Sequence, residues 1–164
     1  MRAHGRRYGL VALAVGMLVA GAGCDFYDAR EDARTEAIKS ARQGLDEFRD
    51  SFSYELQQVA GQTGAGQNLR DEIEAGLRKL GKDSHVIAVT ADGSQVTAQF
   101  AVKGTGEGGG GGTYEKFFWV TCASVTGVPA LKPAPQVAAI PCPVGFPPPD
   151  VWQGVDAIGP LPAD

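Results

Sequence analysis

His85-Val86-Ile87-Ala88-Val89-Thr90-Ala91-Asp92-Gly93-Ser94-Gln95-Val96-Thr97-Ala98-Gln99-Phe100-Ala101-Val102-Lys103 decides the fold. The second half alternates without a break. Val96, Ala98, Phe100 and Val102 are placed to point inward, and Gln95, Thr97, Gln99 and Lys103 outward, as one half-buried strand requires. His85 to Ala91 reads as the strand before it. Asp92-Gly93 between the two is a strong short-range hairpin signal, because glycine takes the positive φ that a tight turn needs. An antiparallel hairpin therefore forms the centre, and the rest of the chain must cover it.

Upstream the period changes from 2 to 3.6. Ile38, Ala41, Leu45, Phe48, Phe52, Leu56 and Val59 follow one another at intervals of three and four, along one helical stripe. Arg34, Lys39, Arg42, Asp46, Glu47, Arg49, Asp50 and Glu55 lie opposite, a solvated face of mixed sign. The stripe fits burial against the protein's own sheet first; a coiled-coil seam or a groove ligand is the alternative, and would make the helix over 34–59 the surface for an envelope protein partner. Gly61 to Gly66 breaks it. A shorter helix is expected from Asn68 to Leu80, with Asn68 as N-cap and Gly81 taking a left-handed conformation after it.

Downstream, Gly104 to Gly112 reads as a mobile glycine-rich hairpin loop. Thr113 to Cys122 then gives a third strand, apolar on both faces through Phe117, Phe118, Trp119 and Val120. That is the pattern of a central strand covered on either side. Val137 to Cys142 adds a short fourth strand, confined to an edge by Pro141. The fold class is α+β: two N-terminal helices packed on a three- to four-stranded antiparallel sheet, an order that resembles the cystatin-like arrangement. The domain is bounded at 30–145. A Pro-rich tail follows over 146–164, in which Trp152 either pins the segment to the domain or meets a partner.

The chain has 164 residues, with 15 Lys+Arg against 19 Asp+Glu, and all 10 Pro lie from Pro129 onward. A net charge of -4 argues against nucleic-acid binding, which needs a basic face. The three Arg nearest the start, Arg2, Arg6 and Arg7, stand in a stretch free of carboxylates. An uncharged run, Leu10 to Ala20, follows, then Gly21-Ala22-Gly23-Cys24. A basic n-region, an apolar h-region too short to span comfortably, and small residues before a cysteine make up a signal-peptide pattern. It resembles the lipobox of bacterial lipoproteins. The resemblance implies that the Cys24 thiol is joined to diacylglycerol, that residues 1–23 are removed, and that 24–29 serve as a tether. Gly21 departs from the family, which has an aliphatic residue there, and Ala20-Gly21-Ala22 also offers an ordinary cleavage site that would give a secreted protein. The resemblance implies the outer face of the cell membrane, and nothing about fold. Removal of 1–23 leaves 12 basic against 19 acidic side chains, a net -7. Such a surface gains nothing from anionic lipid, so acyl chains must do the holding.

With Cys24 so committed, Cys122 and Cys142 remain as an even pair in a compartment that permits disulfides. A bridge between them would close about 20 residues and contribute on the order of 3 kcal/mol. Metal ligation is the rival, and neither a His nor a further Cys lies close in sequence.

Two nucleotide-binding patterns fail on context. Gly76 to Lys82 has the P-loop spacing, but it leaves a helix C-terminus, where anions are repelled, and ends on Asp83 where a hydroxyl is required. Gly104-Thr105-Gly106-Glu107-Gly108-Gly109 fits a dinucleotide fingerprint with no helix after it. Asp83, Ser84 and His85 are consecutive, and neighbours on a strand point to opposite faces, so they make no triad. No catalytic set, metal site or cofactor is expected. The expectation is a non-catalytic lipoprotein with an interaction or envelope role. Its alternative is a small-ligand binder that uses the concave sheet face with Phe117, Phe118 and Trp119 as walls.

Overall fold

A computed structural model describes residues 28–60, 67–110, 112–129, 134–148 and 150–162. The order is α1 (Ala29–Val59), α2 (Gln67–Leu77), β1 (Ser84–Asp92), β2 (Gln95–Gly110), β3 (Thr113–Gly127), β4 (Gln136–Ala139) and β5 (Ala157–Ile158). The expected α+β class holds: two N-terminal helices pack on an antiparallel meander β1-β2-β3-β4, and β5 joins β3 in parallel. Asp28 caps α1, its Oδ1 accepting from the Arg30 and Glu31 amides. This supplies acceptors for orphan N–H groups, and Glu31 and Asp32 in the first turn suit the helix dipole.

The hairpin forms with Asp92 opposite Gln95, and Gly93 holds a φ of 59° in the two-residue turn. Register then slips by one residue between Val86 and Ala88. This bulge resets the alternation, so that Val86 and Val89, three apart, both face the helices. Their neighbours in the core are Phe48, Phe52, Leu56, Ile73, Leu77, Val96, Ala98, Phe100, Val102 and Val125. Phe48 stacks on Phe100 with ring centroids 3.6 Å apart. The stripe read from the sequence is thus the buried side of α1, with Ile38 and Leu45 at its margins.

The glycine run is where expectation and structure part. Gly104 to Gly110 is strand, not a mobile loop, and pairs with Thr113 to Trp119. The reason is a second ridge on α1. Ala29, Ala33, Ala37 and Ala41 recur every four residues and are all buried. Gly104, Gly106 and Gly108 recur every two and lie against Ala37 and Ala41, Ala33 and Ala37, and Ala29 and Ala33 respectively. Four helical residues rise about 6 Å and two strand residues about 6.6 Å, so the two rows stay in step. A Cβ on any of the three glycines would overlap the helix backbone. Phe117 and Trp119, cross-strand from Gly106 and Gly104, flank this seam.

Two details of α2 also differ. It starts at Gln67, so Asn68 is inside the helix rather than its cap. Gly81 is not among the residues of positive φ, because the helix winds down through tighter bonds, Lys79 N to Gly76 O and Leu80 N to Leu77 O.

The tail completes the other face. Cys122 and Cys142 form a disulfide with a Cα–Cα distance of 5.2 Å. Beyond it Phe146, Val151, Trp152 and Val155 cover Ala101, Val120 and Cys122. Of its two open roles Trp152 takes pinning: it is buried, and its Nε1 donates to Lys82 O at 2.8 Å. The domain therefore runs past 145, to β5 and on to Pro162. Replacing both Cys122 and Cys142 with alanine is expected to lower unfolding free energy by about 3 kcal/mol. Urea titration followed by tryptophan emission measures this.

Candidate functional site

Phe117, Phe118 and Trp119 do not form one wall. On strand β3 the odd positions face α1 and the even ones face away. Phe117 and Trp119 are buried against Ala33, Ala37 and Ala41, so the concave face is filled rather than open. Arg30 and Arg34 lie over them, with guanidinium carbons 5.4 and 5.7 Å from the ring centroids. Trp119 Nε1 is buried without a hydrogen-bond partner. Phe118 is on the opposite face, half-buried, between the ammonium groups of Lys103 at 5.4 Å and Lys116 at 5.5 Å. The expected ligand wall is thereby divided between a core and a cationic surface.

Among the described residues, one open space lies where α1 passes the first residue of β1. It is a cleft of about 190 Å³ lined by Ser40, Gln43, Gly44, Glu47, Asp83, Ser84, Val102, Lys103 and Thr105. β1 ends its pairing at Ser84 opposite Val102, so β2 continues past it with one edge uncovered by strand. The Thr105 amide donates instead to Ser40 Oγ at 3.3 Å, and the Lys103 amide to Asp83 O at 2.8 Å. Lys103 Nζ pairs with Asp83 Oδ1 at 3.1 Å and also sits 5.9 Å from the Trp152 ring. Gln43 Nε2 donates to Glu47 Oε1 at 2.8 Å. The cleft is polar, shallow and internally paired, suited to water or a small hydroxylated molecule rather than an apolar one.

No family model, no curated protein and no solved structure matches the chain.

Among the described residues, no three of His, Cys, Asp and Glu gather as a metal site would require. No described helix is long and apolar enough to cross a membrane. His85 packs against Phe146 and Trp152, with ring centroids 5.8 and 6.4 Å away, as part of the clamp on the tail. Asp83, its neighbour but one, binds Lys103 instead. The apolar stripe of the 34–59 helix is occupied by the protein's own sheet, which leaves its charged face for any partner. That face is laced by pairs such as Arg49 with Asp46 and Lys39 with Glu36. Cys24 lies outside the described residues.

Sequence reasoning missed the C-terminal clasp. Asp156 Oδ2 accepts from the Phe118 amide at 2.9 Å, and its Oδ1 pairs with Arg30 at 3.2 Å. Arg42 Nη2 donates to Pro162 O at 2.6 Å. One carboxylate thus ties the start of α1, the middle of β3 and the start of β5. Its only advance signal is an acidic residue in an otherwise uncharged stretch, Val151 to Pro162.

Proposed function

We propose that the protein is a non-catalytic lipoprotein, anchored through Cys24 on the outer face of the cell membrane, with an interaction or envelope role. The observation that carries the reading is the Cys122–Cys142 disulfide, which fastens the tail across the sheet and suits an oxidising compartment. The Arg2-Arg6-Arg7 cluster, the apolar run Leu10 to Ala20 and Cys24 supply the route to that compartment. The filled concave face supports an interaction role over an enclosed apolar ligand: side chains offered as pocket walls are the packing between α1 and β3. The partner surface then lies on the charged face of α1 or on the uncovered strand edges of the β2–β3 hairpin. A second reading, a binder of small polar molecules, has the 190 Å³ cleft in its favour.

Cys24→Ser is the direct test. The wild type is expected in the membrane fraction, with an intact mass that shows an acylated N-terminal cysteine. The variant is expected in the soluble fraction or still carrying residues 1–23. Membrane retention equal to wild type, with an unmodified mass, overturns the anchor. Plain secretion would appear as a soluble, unacylated wild type starting elsewhere.

A further inference from the structure

The end of the molecule at which α1 begins is also the end at which the β2–β3 hairpin turns. Gly108 lies against the backbone of Ala29, the first residue of the helix. Beyond Gly108 the hairpin goes on through Gly109 and Gly112 to Thr113 and Tyr114. Tyr114 is 66% exposed, one of four large apolar side chains left in solvent among the described residues. Its hydroxyl is bonded to the Glu107 carboxylate across the strand pair, and Lys116 Nζ lies 3.2 Å from the same group. These contacts hold the Glu107 carboxyl below the usual carboxylate range and brace the ring on the hairpin.

Chain length then sets the distance to Cys24. Five residues at most about 3.6 Å each give a reach of roughly 18 Å from Cys24 to Ala29. Among the described residues the other exposed aromatic is Tyr54, 59% exposed on α1. It lies some 38 Å along the helix axis from Ala29, at about 1.5 Å per residue. One exposed tyrosine is therefore within reach of the anchor and the other is not.

We propose that the α1 start and the hairpin tip form a membrane-apposed surface, with the Tyr114 ring at headgroup level of the bilayer holding Cys24. The inference rests on acylation of Cys24. Tyrosine suits that depth, since its ring is apolar and its hydroxyl wet. Gly109 and Gly112 carry no side chain to hold the tip away. Asp28, Glu31, Asp32 and Glu115 outnumber Arg30 and Lys116 nearby, so the attraction comes from acyl chains and ring rather than from anionic headgroups.

The test uses the full acylated protein in phosphatidylcholine vesicles bearing a headgroup spin label. Tyr114→Trp and Tyr54→Trp are compared, with wild type giving the background from Trp119 and Trp152. Added emission at position 114 is expected to be quenched at least about twofold more than at position 54, as an interfacial ring requires. Flotation of an acylated protein with equal quenching at both positions, or more at 54, overturns the apposition alone. Failure to float, with an unmodified Cys24 by mass, overturns the anchor and the apposition together.

Discussion

Gly106→Val is expected to leave little folded protein. A Cβ at Gly106 would overlap Ala33 O and the Ala37 amide nitrogen, both of them backbone atoms of a helix. No rotamer relieves that overlap, so the strand must leave the helix or α1 must shift as a body. Moving α1 would strip Phe117 and Trp119 of their cover and loosen the clasp from Arg30 to Asp156. Ordinary overpacking costs 1–3 kcal/mol; where backbone meets backbone we expect about 4 kcal/mol or more. Urea unfolding followed by circular dichroism checks it. Gly112→Val tests the same residue type at the turn, where nothing lies within 4 Å but φ is 95°, and should cost less. A Gly106→Val protein as stable as wild type would mean that the helix does not lie on this strand.

Phe48→Ala is expected to cost about 4 kcal/mol, the usual range for deleting a buried ring being 3–5. Phe48 is 1% exposed and stacks nearly parallel on Phe100, with 4° between the ring planes. Truncation removes the stack and leaves a cavity between α1 and β2, whose walls Leu45 and Phe52 on the helix and Val102 on the strand are held by two packed elements and cannot all close on it. Phe48→Leu, which keeps most of the volume, should recover more than half of the loss. Chemical denaturation of the three proteins gives the comparison.

These two positions mark the limits of what the sequence discloses. Phe48 sits in a stripe of large apolar residues, whose helical period and burial could both be read. The hairpin is equally legible, since alternation and a two-residue turn are local signals. Alanine carries little hydrophobic contrast, however, and glycine in a run reads as a loop. The seam between Ala29, Ala33, Ala37, Ala41 and Gly104, Gly106, Gly108 depends on two periods matching across some seventy residues. The matched spacing was there to be read, four against two, but nothing local announces it. The division of Phe117 and Trp119 from Phe118 follows from strand alternation alone and was within reach. The bulge at Ile87, the two-residue β5 and the Asp156 clasp are tertiary choices, settled by packing rather than propensity. The N-terminal pattern that ends at Cys24 resembles a targeting signal, and such a pattern carries no information about the folded body.

The alanine ridge also fixes the order of events as the chain is made. α1 leaves the ribosome with its small-residue face bare, and the glycines that fit against it are synthesised far later. Contacts so distant along the polypeptide give slow folding and long exposure of the unpaired surface. Until the hairpin arrives the small-residue face of the helix stays uncovered, so the seam is expected to be among the last parts of the molecule to form.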